Sequence, residues 1–104
     1  VPLCAGIYTK RVMYVAKRTD GNQTEIVEGL RKLGYSVAIT SMMGKGFPDI
    51  VVAKDFKTML VEIKDPSQPP SKRKLTADEL KFHAKWNDIV IVAETIHDIT
   101  KNFI

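Results

Sequence analysis

Two runs rich in β-branched residues, Asp49-Ile-Val-Val-Ala-Lys54 and Lys57-Thr-Met-Leu-Val-Glu-Ile-Lys64, are joined by a tight connection around Asp55. Such a pair reads as a β-hairpin, and the rest of the chain must fit around it. Upstream, Ile26, Val27, Leu30 and Leu33 make an apolar stripe at helical spacing, predicting a helix over about 22–33 that Gly34 ends. Ser36-Val-Ala-Ile-Thr-Ser41 alternates loosely and reads as a strand, and Gly44-Lys-Gly-Phe-Pro48 as a turn. Downstream, 65–74 holds three of the five prolines and must be an exposed loop. A second helix is expected over 77–87. Asp88-Ile-Val-Ile-Val-Ala93 is a continuous apolar run of the kind buried on both faces, and 95–102 can form a last helix. The order α-β-β-β-α-β predicts an α/β fold, a mixed central sheet flanked by helices.

A chain of 104 residues is enough for one core. We divide it into a basic N-terminal extension, 1–18, and a single domain, 19–104. The extension carries Lys10, Arg11, Lys17 and Arg18 and no acid. Its run Arg11-Val-Met-Tyr-Val-Ala16 reads either as a strand or as part of a disordered terminus. Sixteen basic against twelve acidic residues give a net charge of +4, which invites a polyanionic partner without establishing one. A single cysteine, Cys4, excludes an internal disulfide framework and a cysteine-rich zinc site, and fits a reducing compartment. No apolar run approaches the length of a membrane span. The expectation is a soluble, cytoplasmic protein.

The chemistry concentrates on the hairpin. The strand period of two puts Leu60, Glu62 and Lys64 on one face and Val61 and Ile63 on the other. A carboxylate and an ammonium thus share one face, and the hairpin can bring Asp49 beside Glu62. Two carboxylates and a free backbone carbonyl, that of Ile63, make a hard oxygen site suited to Mg²⁺. Lys64 can then orient or help deprotonate an attacking water. Taken singly, Glu-x-Lys is a common solvent-face pattern and Pro-Asp a common turn. Their conjunction on adjacent strands points to a site. No Gly-rich phosphate loop, Ser-His-Asp set or CxxC is present, and neither His83 nor His97 has a partner at metal-ligand spacing.

Gly46-Phe-Pro-Asp49, thirteen positions before Glu62-Ile-Lys64 when counted from Asp49, resembles the signature of the PD-(D/E)xK nuclease superfamily. The likeness runs on through Asn22-Gln-Thr-Glu-Ile-Val, Gly34-Tyr-Ser-Val, Glu62-Ile-Lys-Asp-Pro, Leu75-Thr-Ala-Asp-Glu-Leu-Lys-Phe-His and Trp86. This ordered set, spanning about 20–94, resembles the small stand-alone proteins of the VRR-NUC (virus-type replication and repair nuclease) group, often carried by phages. The resemblance implies a restriction-endonuclease-like core and a DNA endonuclease dependent on Mg²⁺ or Mn²⁺. Asp49 and Glu62 would ligate the metal, Lys64 would activate water, and Glu25 would complete the acidic site. Glu25 has a second reading, since Asn22-x-x-Glu25 is a capping box.

Glu79 departs from the group, which usually has Gln there. Thr76-x-x-Glu79 is again a capping box, with Leu75 and Leu80 as its hydrophobic staple. Glu79 also shares a helix face with Phe82 and Trp86, so it can point into the site as a supporting carboxylate. Lys45 would hold a DNA phosphate or stand as a solvated loop lysine. Lys72, Arg73 and Lys74 would contact the backbone without reading sequence. So small a surface favours structure-selective cutting of branched or junction DNA over site-specific restriction. By analogy with stand-alone members, a homodimer in the cytoplasm of a phage-infected or prophage-carrying bacterium is expected. The rival readings are a catalytically inactive nucleic-acid-binding module of the same fold and a purely structural subunit.

Overall fold

The structure, a computed structural model, describes residues 21–104. The basic extension 1–18 and the strand read over 11–16 lie outside the described residues.

Helix α1 (Gln23–Lys32) forms where the apolar stripe predicts it, with Ile26, Val27 and Leu30 buried. Gly34, at φ 95°, turns the chain in a left-handed conformation that only glycine adopts freely. The Gly34 and Tyr35 N–H groups then donate to the carbonyls of Arg31 and Leu30. Leu33, expected in the stripe, is instead the C-cap and is 55% exposed, because the backbone has left helical geometry there.

Four strands follow: β1 (Ser36–Ile39), β2 (Ile50–Lys54), β3 (Lys57–Ile63) and β4 (Val90–Ala93). They lie in the order β1-β2-β3-β4, the first two pairings antiparallel and the third parallel, so the sheet is mixed. The β2–β3 connection is the two residues Asp55 and Phe56, both at positive φ (53° and 68°). That is the conformation that matches a two-residue turn to the twist of its strands.

Helix α2 (Ala77–Lys85) lies between the parallel strands β3 and β4. It starts with the predicted capping box: Thr76 Oγ1 accepts from the Glu79 N–H, and Glu79 Oε1 accepts from the Thr76 N–H. Leu80, half of the expected staple, is exposed. Helix α3 (Ile96–Thr100) carries a second capping box, Thr95 with Asp98, and runs into a short 3-10 turn, Lys101–Phe103. The proline-rich loop is not wholly irregular, since Pro70–Lys72 forms another 3-10 turn.

The period of two divides the two faces of the sheet. Met59, Val61 and Ile63 of β3, with Ile50 and Val52 of β2, pack against Ile26, Val27, Leu30 and Ile99 from α1 and α3. Each such side chain, fully buried, stabilises the fold by about 1.5–3 kcal/mol. Leu60 and Glu62 fall on the opposite face, where Glu79 of α2 reaches Lys64. β4 is not buried on both faces: Val92 is 44% exposed. Among the described residues the strand forms one end of the sheet, and its apolar run is open to solvent at Val92. Among the described residues, no helix is long and apolar enough to cross a membrane.

Candidate active site

The register Ile50↔Val61, continued by one residue, sets Asp49 opposite Glu62. Asp49 directly precedes β2 and is fixed by its own backbone: its N–H donates to Val61 O (3.0 Å) and its carbonyl accepts from Thr40 N–H (2.8 Å). Its side chain is fixed too, Oδ2 accepting from the Ile63 N–H at 2.8 Å. Within a strand the N–H and C=O of one residue leave on the same side. The Ile63 carbonyl therefore leaves β3 on the Asp49 side.

Glu62 is only 4% exposed and Lys64 only 8%. Lys64 Nζ donates to Glu79 Oε1 at 3.0 Å and stands 3.5 Å from Glu62 Oε2. Three carboxyl groups and one ammonium thus meet beneath α2. Burial, then the charges of Asp49 and Glu79, push the Glu62 carboxyl up to about 9, against the pull of Lys64. Burial also raises Asp49, opposed by the Ile63 N–H and by Glu62. Burial would raise Glu79 as well, but the Thr76 N–H and Lys64 outweigh it and hold that carboxyl below its ordinary range.

Buried carboxyls held this close together favour their ionised forms only when a cation compensates them. Glu62 Oε1 is buried and receives no hydrogen bond. Lys64 compensates the Glu79 side of Glu62, leaving the Asp49 side for a hard divalent ion. Asp49, Glu62 and the Ile63 carbonyl therefore fit the cation expected from sequence. The larger set does not assemble: among the described residues, no three His, Cys, Asp or Glu side chains are placed to hold a metal ion.

Glu25 is the residue set apart. It is exposed on α1 and lines a groove of about 390 Å³ with Asn22, Pro66, Glu94 and His97. Its capping box does not form either, because the Asn22 side chain makes no cap. Asn22 Nδ2 instead donates to Lys64 O (3.0 Å) and Glu94 O (3.1 Å), tying the start of α1 to the ends of β3 and β4. Sequence reasoning missed this tether, and the only local signal, Asn-x-x-Glu, pointed to a cap.

The basic residues also divide. Lys72 and Lys74 are exposed, whereas Arg73 Nη1 pairs with Glu94 Oε2 at 3.2 Å. Lys45 sits at φ 57° between Gly44 (74°) and Gly46 (79°). Left-handed backbone disfavours a non-glycine residue by about 1–2 kcal/mol. This loop lies hard against α2, since a Cβ at Gly46 would collide with the backbone of Asp78 and Glu79. Phe47 seals the contact, edge-on to Phe82 with ring centroids 5.1 Å apart. His83, one turn beyond Glu79, is half-buried with Nε2 unpartnered, and burial lowers its pKa. His97 is exposed. Compared with protein-family models, with curated proteins and with solved structures, the chain matches none.

Proposed function

We propose that this chain is a metal-dependent DNA endonuclease with a restriction-endonuclease-like core, of the PD-(D/E)xK superfamily and its VRR-NUC group. The observation that carries the reading is the juxtaposition of Asp49, Glu62 and Lys64, with the buried Glu62 Oε1 facing no hydrogen-bond donor. A bound Mg²⁺ or Mn²⁺ would supply charge stabilisation to a phosphodiester under attack and acidity to a water. Asp49 and Glu62, with the Ile63 carbonyl, would hold that ion. The Ile63 N–H fixes one Asp49 oxygen, leaving the other to bind. Lys64, held by Glu79, would orient the attacking water and offset charge building on the phosphate. Lys45, Lys72 and Lys74 would position the backbone of the nucleic acid. The resemblance further supports a cytoplasmic homodimer acting on branched or junction-containing DNA.

The test is cleavage of linear duplex, flap, single-stranded and four-way-junction DNA with Mg²⁺ or Mn²⁺ and with chelator. Metal-dependent cutting of at least one substrate is expected, with loss of about 100-fold or more in Asp49→Ala and Lys64→Ala, in the range for removing a group that acts only in the transition state. Variants that cut as fast as wild type would place the chemistry elsewhere. Salt-sensitive binding without cutting would make the chain a binding module of the same fold.

A further inference from the structure

We propose that the groove between the Gly44–Gly46 loop and α2 seats an unpaired DNA strand, with one base stacked on Trp86 and phosphates held by Lys45, Lys81 and Lys85. The inference rests on the nuclease reading above and specifies which part of a branched substrate the protein grips.

The groove, about 280 Å³, is lined by Lys45, Asp78, Lys81, Phe82, Lys85 and Trp86. Three ammonium groups face one carboxylate there. Among the described residues none of the three lysines is in an ion pair. Lys81 and Lys85 are four residues apart and so share one face of α2, an arrangement whose repulsion a bound anion relieves. Lys45 reaches the groove from the loop, in a backbone conformation where glycine or asparagine would be at ease. Strain kept at a cation on the rim of a groove is a pointer to what the cation meets.

The aromatic residues give the groove its selectivity. Phe82 stacks nearly parallel on Trp86, with planes 6° apart and centroids at 5.4 Å, and Phe47 closes the other end of the column edge-on. Trp86, the outermost ring, is 47% exposed. A base can extend this column only if it is free of its own stack, and a continuous duplex offers none. Base stacking on an aromatic ring contributes roughly 5- to 150-fold in affinity, and neighbouring cations track the backbone. Trp86 follows Glu79 by seven residues, about 10 Å along the helix axis. A strand seated here therefore passes close to Asp49, Glu62 and Lys64.

Trp86 is the only tryptophan in the chain, so tryptophan emission, excited where the three tyrosines do not absorb, reports on this groove alone. In chelator, to prevent cutting, a thymidine 12-mer should quench the emission by more than half, less so as salt rises. A relaxed closed-circular duplex at equal nucleotide concentration, which has no ends to stack, should leave it unchanged. By anisotropy of a labelled 12-mer, Trp86→Ala should bind at least about 10-fold more weakly. Trp86→Phe, which keeps a ring on Phe82, should stay within about threefold of wild type. Lys81→Ala and Lys85→Ala should each lower the salt slope by about 0.7. Absent quenching, equal quenching by duplex, or unchanged affinity in Trp86→Ala would overturn the seat. The two readings fail separately: quenching in a protein that never cuts sustains the seat and removes the nuclease, whereas cutting without quenching removes only the seat.

Discussion

Lys64 and Glu79, fifteen residues apart in sequence, are joined by a 3.0 Å charge-assisted hydrogen bond with both side chains mostly out of water. Removing one partner of a buried pair can lose about 3–5 kcal/mol, and the lower end of that range applies here because Lys64 keeps Glu62 Oε2 at 3.5 Å. Glu79→Ala should therefore destabilise the protein by about 3 kcal/mol in urea denaturation, the lost capping box contributing to it. Glu79→Gln keeps an acceptor for Lys64 and for the Thr76 N–H, and should lose only about 1 kcal/mol. Equal losses in the two variants would show that the charge of Glu79, and not the hydrogen bonds it accepts, carries the stabilisation.

The Glu62 carboxyl, raised from 4.5 to about 9 in the folded chain, makes stability depend on pH. Between those values the folded state keeps a proton that the unfolded chain releases, so stability falls as pH rises. The slope approaches about 1.4 kcal/mol per pH unit for one whole proton. Asp49, also raised, acts in the same direction. Glu79, lowered, acts oppositely and only at the acid end. Urea titrations in chelator from pH 5 to 9 should show this decline, and Glu62→Gln should flatten it. A level wild-type profile would contradict the charge balance described for the site.

Asn22 holds two strand ends with one amide, so Asn22→Ala orphans the carbonyls of Lys64 and Glu94. Each orphaned group costs about 1 kcal/mol or more. The melting temperature should drop by about 10 °C in a domain of this size. Asn22→Asp, which has no donor to offer, should do no better. A melting temperature within about 2 °C of wild type for Asn22→Ala would discount the tether.

Phe56 is fully exposed at φ 68° in the hairpin turn, where an aromatic side chain gains no contacts and strains the backbone. Phe56→Gly should stabilise the protein by about 0.5–1 kcal/mol, the relief of a left-handed residue less the added freedom of glycine in the unfolded chain. Chemical denaturation reads the sign directly. A destabilised variant would mean that Phe56 packs against something after all.

What could be read in advance was whatever one element decides alone. The spacing of the two β-rich runs placed Asp49 opposite Glu62, and the period of two put Glu62 and Lys64 on one face. Glu79 was legible because its capping box and its helix face agree. Asn22 was not, since an asparagine before a helix looks alike whether it bonds its own helix or two distant strands. Glu25 lies at the border of its apolar stripe, and periodicity cannot say toward which neighbour a border residue turns. The apolar run of β4 likewise carries no mark of whether another strand lies beyond it.

Gly46 has room for no side chain because its loop rests on the backbone of Asp78 and Glu79. The loop bearing Lys45 and the first turn of α2 are therefore in direct backbone contact. If the proposed strand is gripped at Lys45, tension on it would be carried through that contact to Glu79, and from Glu79 to the ammonium of Lys64. Grip and chemistry would then be mechanically coupled, and the coupling would pass through a residue that touches neither the strand nor the reacting phosphate.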